Sequence, residues 1–440
     1  MIKNKFLVAS TGVFILSLIT LLYLYLEIGG EASIFIATIS SLLPLCLVFL
    51  VAKNKSVISP IGFYIISVLV FILSRPIISL FTEIDIVEAG IIRGAYEVSK
   101  AIYLIGIGVA TTGLFMSLPV KYEKYDKFLF KPVLGLPDFV RNGLLYSSVA
   151  LILVFLYKSY GAAQLIGQES YFSILESNGI HEHLKIFFLS KMILTLYLLS
   201  SSEHSRHTYF WCSFLLFVGS LGFIMIGLRG YTIAYFTMFL FFLNERKKIS
   251  MIIIIPIGII IIYLSALVLE YRLGFSVFNN TLEMLYLPFG QQGATFEVVY
   301  GAANFMDKIR SCISYYEYFH GGDFGGCVDL ARGVGFASGG FASSYFAEGL
   351  YFGHIVYIFL CAVMGIVVKY LDHISAIRMK ISLGALDSSR IGFMLFCILP
   401  NLVYFARSSS FDFLLKFILT SIVIVVYAFF FERQGCRNDC

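Results

Sequence analysis

An all-helical, multi-pass membrane fold is predicted from three observations. First, 59% of the 440 residues are hydrophobic and 13% are charged, with a mean hydropathy of +0.88. Soluble domains carry roughly 25% charged residues. Second, the apolar residues gather in runs of about 20, the length at which a helix crosses a bilayer. Third, the runs do not alternate polar with apolar as membrane strands do, so helices rather than a closed barrel satisfy the backbone in lipid.

About twelve spans follow in order: 6–28, 32–52, 58–80, 97–118, 142–160, 183–201, 209–228, 230–244, 249–269, 341–368, 390–406 and 412–431. The first, Phe6 to Ile28, follows Lys3 and Lys5 like a signal peptide. It is too long for a signal h-region and has no small-residue cleavage site, so it reads as a retained anchor. The eighth is short enough to be tilted or partly re-entrant. The basic runs Lys121, Lys124, Lys127, Lys131 and Arg246-Lys247-Lys248 mark cytoplasmic loops by the positive-inside rule, which places both termini in the cytoplasm. Because these cations are spread over many short loops, they read as topogenic, and nucleic acid is not expected as a partner.

The whole chain, 1–440, reads as a single integral membrane domain without internal repeats. Three segments assigned to the outer side exceed simple turns. Residues 82–96 are acidic, and 161–182 read as an interfacial helix. The largest, 270–340, is too long for a structureless connection and is expected to be functional or partly helical. Its stretch from His320 to Gly340 is glycine-rich, which permits tight turns and close ligand approach. The eight cysteines show no metal spacing. Cys312 and Cys327 share the outer segment, and whether they pair is left open by the sequence.

Three arginines end apolar runs on the outer side: Arg229 in Gly227-Leu228-Arg229-Gly230, Arg272 in Glu270-Tyr271-Arg272, and Arg407 in Phe405-Ala406-Arg407-Ser408. One reading is that they are snorkelling anchors. The other is that they bind an anion, since a guanidinium grips phosphate oxygens bidentately. The Gly and Ser neighbours of Arg229 and Arg407 leave room for a ligand, which an anchor does not need. A lipid-borne diphosphate is the simplest such ligand, and Arg332 in the outer segment joins the candidates. Glu348 follows a run of small residues near membrane depth. An ionisable group there is either functional or the partner of an arginine. His320 and Asp323 are candidates for a general base toward a sugar hydroxyl, against the alternative that they are solvated loop residues. His354 reads as a packing residue.

Absent motifs narrow the chemistry. There is no Walker loop, GxGxxG, HExxH or CxxC, so ATP-driven transport lacks support. No DxD pair marks a metal-bound nucleotide sugar. No cofactor and no metal are expected.

Taken together, several features resemble the Wzy-type polymerases of bacterial O-antigen and related surface polysaccharides. They are the turn at 227–230, Tyr271-Arg272, the large outer segment, the Gly-Gly…Glu348-x-x-x-Phe352-Gly353 stretch and Tyr404-Phe405-Ala406-Arg407-Ser408-Ser409. The resemblance implies a GT-C-like glycosyltransferase bundle in the bacterial inner membrane, with its active site facing the periplasm and no metal requirement. Its implied substrates are undecaprenyl-diphosphate-linked oligosaccharides, one growing chain being moved onto another repeat unit. It leaves open a chain-length regulator protein as partner. Arg229, Arg272 and Arg407 match the family's outer-face arginines, and Glu348 matches its acidic position. His320 and Asp323 have no counterpart in that pattern. The rival readings are a flippase or transporter of lipid-linked oligosaccharide, and an O-antigen ligase. A flippase would be expected to show pseudo-symmetric halves, whereas the large outer segment occurs in the C-terminal half alone.

Overall fold

The computed structural model describes residues 2–27, 33–51, 57–82, 94–118, 137–166, 179–199, 206–226, 228–246, 281–293, 295–312, 344–380, 390–407 and 413–426. It also describes isolated positions between 249 and 270 and residue 314. Among these residues every regular element is helical. In order they are α1 (Ile2–Leu26), α2 (Ile34–Val51), α3 (Pro60–Ser79), α4 (Ala95–Ser117), α5 (Asp138–Ile166), α6 (Gly179–Leu199) and α7 (Arg206–Met225). Then come α8 (Arg229–Arg246), α9 (Thr281–Gln292), α10 (Thr295–Cys312), α11 (Tyr345–Phe352), α12 (His354–Lys380), α13 (Arg390–Tyr404), a 3₁₀ turn (Phe405–Arg407) and α14 (Phe413–Val426). Five contain stretches long and apolar enough to cross a membrane: Pro60–Ser79, Ala95–Ser117, Asp138–Gln164, His207–Met225 and His354–Met379. The chain is a multi-pass helical membrane protein. Within 270–340, expected to be partly helical, lie α9 and α10. The interior of the expected interfacial helix at 161–182 and one half of the Cys312–Cys327 pair fall outside the described residues.

The chain forms two compact units. One comprises residues 1–121, 289–373 and 402–415, the other 122–288, 374–401 and 416–440.

In the first unit α4 is the central helix, buried along most of its length and packed against α1, α2 and α10. Lipid tails are as apolar as the side chains they touch, so such helices are held by close packing and interhelical hydrogen bonds. Both are present. A Cβ on Gly365 of α12 would come within 2.4 Å of the Thr112 carbonyl oxygen on α4, so the two backbones meet only because position 365 is glycine. Beside that contact Thr112 Oγ1 donates to the Cys361 carbonyl at 3.1 Å. Ser41 Oγ of α2 donates to the Ile102 carbonyl at 2.8 Å.

Helix α3 begins with a capping device. Ser59 accepts from the Gly62 N–H at 3.1 Å, and Pro60 occupies the first turn, where its missing N–H costs nothing. The helix then widens into a π turn at Leu69–Leu73. Pro76 lies three residues on. A proline lacks the N–H for the carbonyl four residues back and its ring crowds that group, here Ile72 within the widened turn.

In the second unit α5 and α6 are clasped by Ser148 and Ser190. Each hydroxyl donates to the other residue's carbonyl, at 3.1 and 2.9 Å. Helices α7 and α8 form a tight hairpin, with Thr232 Oγ1 donating to the Ser220 carbonyl at 2.7 Å. Phe155, Phe187, Phe223 and Tyr235 fill the space among α5 to α8 with ring centroids 4.6–5.2 Å apart. Glu245 accepts from Arg378 Nε at 2.7 Å, and both side chains are fully buried. The Arg378 guanidinium lies 4.7 Å from the Tyr209 ring centroid and 5.8 Å from that of Phe242.

The structure departs from the expected span at 341–368. That run is two helices, α11 and α12, separated by Gly353, whose φ of +113° and ψ of 163° are open essentially to glycine alone. Arg310 of α10 closes the end of α11 by donating to the Tyr351 and Leu350 carbonyls. The run breaks at Gly353, whose N–H donates to the Leu350 carbonyl at 3.0 Å, while its own carbonyl accepts from Tyr357 N–H at 2.9 Å in the first turn of α12.

Candidate functional site

Glu348 lies in α11 and is 2% exposed. Its backbone N–H donates to the Ser344 carbonyl at 2.8 Å, within the first turn. Arg407 closes the 3₁₀ turn after α13 and is half-buried. That turn is fixed by aromatic packing in the first unit. Phe405 stacks on Tyr64 of α3 at 5.2 Å and meets Tyr345 of α11 edge-on at 5.7 Å. The Ala406 N–H donates to Ser67 Oγ at 3.3 Å. Phe405 also lies 6.4 Å from Phe346. The expected cation at 407 and the expected carboxylate at 348 are therefore carried on adjoining elements, two and three residues from rings in contact.

Arg229 opens α8 at the tight turn that follows α7. The Leu228 N–H donates to the Phe223 carbonyl at 2.7 Å, and the Tyr231 N–H donates to the Leu228 carbonyl at 3.2 Å. The residues around the expected 227–230 turn do reverse the chain. Arg229 belongs to the second unit, and Arg407 and Glu348 to the first. Arg272, His320, Asp323 and Arg332 lie outside the described residues.

Two groups of polar residues were not singled out from the sequence. The first is a buried ion pair between Arg75, just after the π turn of α3, and Glu297 in the first turn of α10; their side chains are 3% and 5% exposed. An arginine inside the apolar run 58–80 was the available signal. The second is a cleft of about 390 Å³ lined by Lys100 of α4, Ala302 to Asp307 and Arg310 of α10, Leu350 of α11, and Gly353 and His354 at the helix break. Nothing local in the sequence marks it, because its residues come from three distant segments. Chemically, the first unit offers a buried carboxylate at Glu348, a guanidinium on an ordered turn at Arg407, and a polar cleft.

Residues 6–322 match the family described as O-antigen polysaccharide polymerase Wzy. A curated relative, the O-antigen polymerase of Escherichia coli, is 34% identical over 403 residues, covering 90% of this chain and 89% of its own. No solved structure matches the chain. The family match takes in the Arg229 turn, Arg272, the Arg75–Glu297 pair and the α4 and α10 sides of the cleft. It ends before Glu348 and Arg407, which the alignment with the relative extends toward by its share of the chain. On the match over 6–322 and the relative's coverage, the chain belongs to the O-antigen polysaccharide polymerase Wzy family.

Proposed function

We propose that this Wzy-family polymerase, a membrane glycosyltransferase, joins undecaprenyl-diphosphate-linked oligosaccharide repeat units at the periplasmic face of the bacterial inner membrane. The observation that carries the reading is the family match together with a relative aligned over 90% of the chain. It favours polymerisation over the flippase and ligase readings. The architecture that suits it is a single integral domain of about twelve spans in a GT-C-like bundle, with both termini cytoplasmic.

In this reading Arg229, Arg272, Arg407 and Arg332 hold diphosphate. Breaking the donor's glycosidic bond leaves negative charge on that group. Guanidinium groups fixed in a partly dehydrated site stabilise the charge as it develops, a term that is often the largest in catalysis. The 3₁₀ turn held by Phe405 supports such preorganisation at Arg407. Glu348, or His320 or Asp323 in the outer segment, takes the proton from the acceptor hydroxyl. The burial of Glu348 beside that turn supports the first of these. A chain-length regulator protein is a further partner in this scheme.

Single replacements Arg229→Ala, Arg272→Ala and Arg407→Ala test the reading. Each is expected to abolish long polysaccharide ladders on a gel while the protein accumulates normally. Wild-type ladders from all three would remove it.

A further inference from the structure

We propose that the cleft between α4, α10 and the α11–α12 break is a second head-group site, one that takes a sugar joined through phosphate to a membrane lipid. This identification of the ligand rests on the polymerase reading above, and it deepens it. A reaction between two lipid-linked glycans needs two places for phosphate-bearing head groups, and the arginine set supplies one.

Three features of the cleft favour this ligand. The first is its charge pattern. Lys100 and Arg310 are cationic, Asp307 is a carboxylate, and Asn304 and His354 are polar, all lining one cleft of about 390 Å³. That volume is within the roughly 300–1,000 Å³ typical of small-molecule sites. A site for phosphate alone has no use for a carboxylate. A site for a phosphorylated sugar does, because carboxylate and amide oxygens accept from hydroxyls while the cations meet the phosphate.

The second feature is how these groups are committed. Among the described residues the side chains of Lys100, Asp307 and His354 make no hydrogen bond or ion pair. Asn304 uses its amide hydrogens on the Glu97 and Tyr300 carbonyls, at 3.0 and 3.1 Å, which leaves its oxygen as an acceptor. Arg310 is held in place by the Tyr351 and Leu350 carbonyls through Nε and Nη2. One edge of its guanidinium is thereby positioned and the other nitrogen remains for a ligand.

The third feature is the lip of the cleft. Phe352 and Ile355 flank the Gly353–His354 break and are 53% and 87% exposed. Phe352 ends α11, and Ile355 lies in the first turn of the long apolar helix α12. Large apolar side chains beside a polar cleft suit a ligand whose head is hydrated and whose tail lies in lipid.

The test is native mass spectrometry of the full-length protein in detergent, with undecaprenyl diphosphate carrying one hexosamine as probe. Two copies are expected on the unaltered protein. Lys100→Glu is expected to lose one and Arg407→Ala the other. Two copies retained by Lys100→Glu and one by Arg407→Ala would overturn the cleft and leave the polymerase reading standing. The reverse result would overturn the arginine site and leave the cleft. Asp307→Asn, at an exposed position and so a mild change to the fold, is expected to weaken the sugar-bearing probe about tenfold. It should leave sugar-free undecaprenyl diphosphate unaffected. Unchanged binding of the sugar-bearing probe by this variant, an equal loss on both probes, or equal competition by phosphatidylglycerol, would overturn recognition of the sugar.

Discussion

Arg75 of α3 donates to Glu297 of α10, and both side chains lie almost wholly out of solvent. The pair joins the helix that carries the π turn to the helix that floors the polar cleft. Removing one partner of a buried pair leaves a charge without compensation, at a cost of about 3–5 kcal/mol. Arg75→Ala and Glu297→Ala are each expected to lower the detergent melting temperature sharply and to reduce membrane levels. The double replacement Arg75→Met, Glu297→Leu should recover most of the loss. A double variant as unstable as the singles would show that the pair's contribution is not mutual.

Gly353 separates α11 from α12 at a φ of +113°. An alanine there adopts a backbone region that side chains rarely enter, costing on the order of 1–3 kcal/mol. Gly353→Ala is expected to melt earlier than the unaltered protein and to shorten polysaccharide chains on a gel. Unchanged melting would argue for one continuous helix through 353.

Glu348 is buried in α11 next to the turn that bears Arg407. The replacement Glu348→Gln keeps size and hydrogen-bonding capacity but loses proton acceptance. If the carboxylate acts on the acceptor, polymerisation in membranes slows by roughly 10²-fold or more, the range for general-base catalysis, at normal protein level. Normal polymerisation by Glu348→Gln with loss of the protein in Glu348→Ala would assign the residue to structure.

Gly392 lies against the clamp of the second unit. A Cβ at that position would stand 2.1 Å from Arg378 Nη1 and 2.7 Å from the Tyr209 ring. Gly392→Ala is therefore expected to push the guanidinium off Glu245 and approach the cost of Arg378→Ala, about 3–5 kcal/mol. Comparing the melting temperatures of the two variants checks this. A neutral Gly392→Ala would mean the ring and guanidinium move aside freely.

Helix positions were legible because apolar runs of bilayer length leave the backbone few alternatives. The hairpin near Arg229 was legible too, since Gly227 and Gly230 stand in the sequence where two apolar runs meet. The break at Gly353 was not. Hydropathy registers Phe352 and Ile355 as continuous apolar surface and is blind to φ. Arg75 stood in plain view within an apolar run, but its partner is 222 residues away, and no local spacing encodes such a pairing. The same holds for the cleft, where Lys100, Asn304 and His354 come together only once three segments have packed.

The Glu245–Arg378 clamp sets an order on biogenesis. The two residues are 133 positions apart, so α8 leaves the ribosome long before the arginine that neutralises its carboxylate has been translated. During that interval Glu245 has no final berth, and the second unit is left ajar at that end. Insertion of α12 brings Arg378 to Glu245, so a chain truncated before residue 378 is expected to turn over faster than the full chain in a pulse-chase measurement.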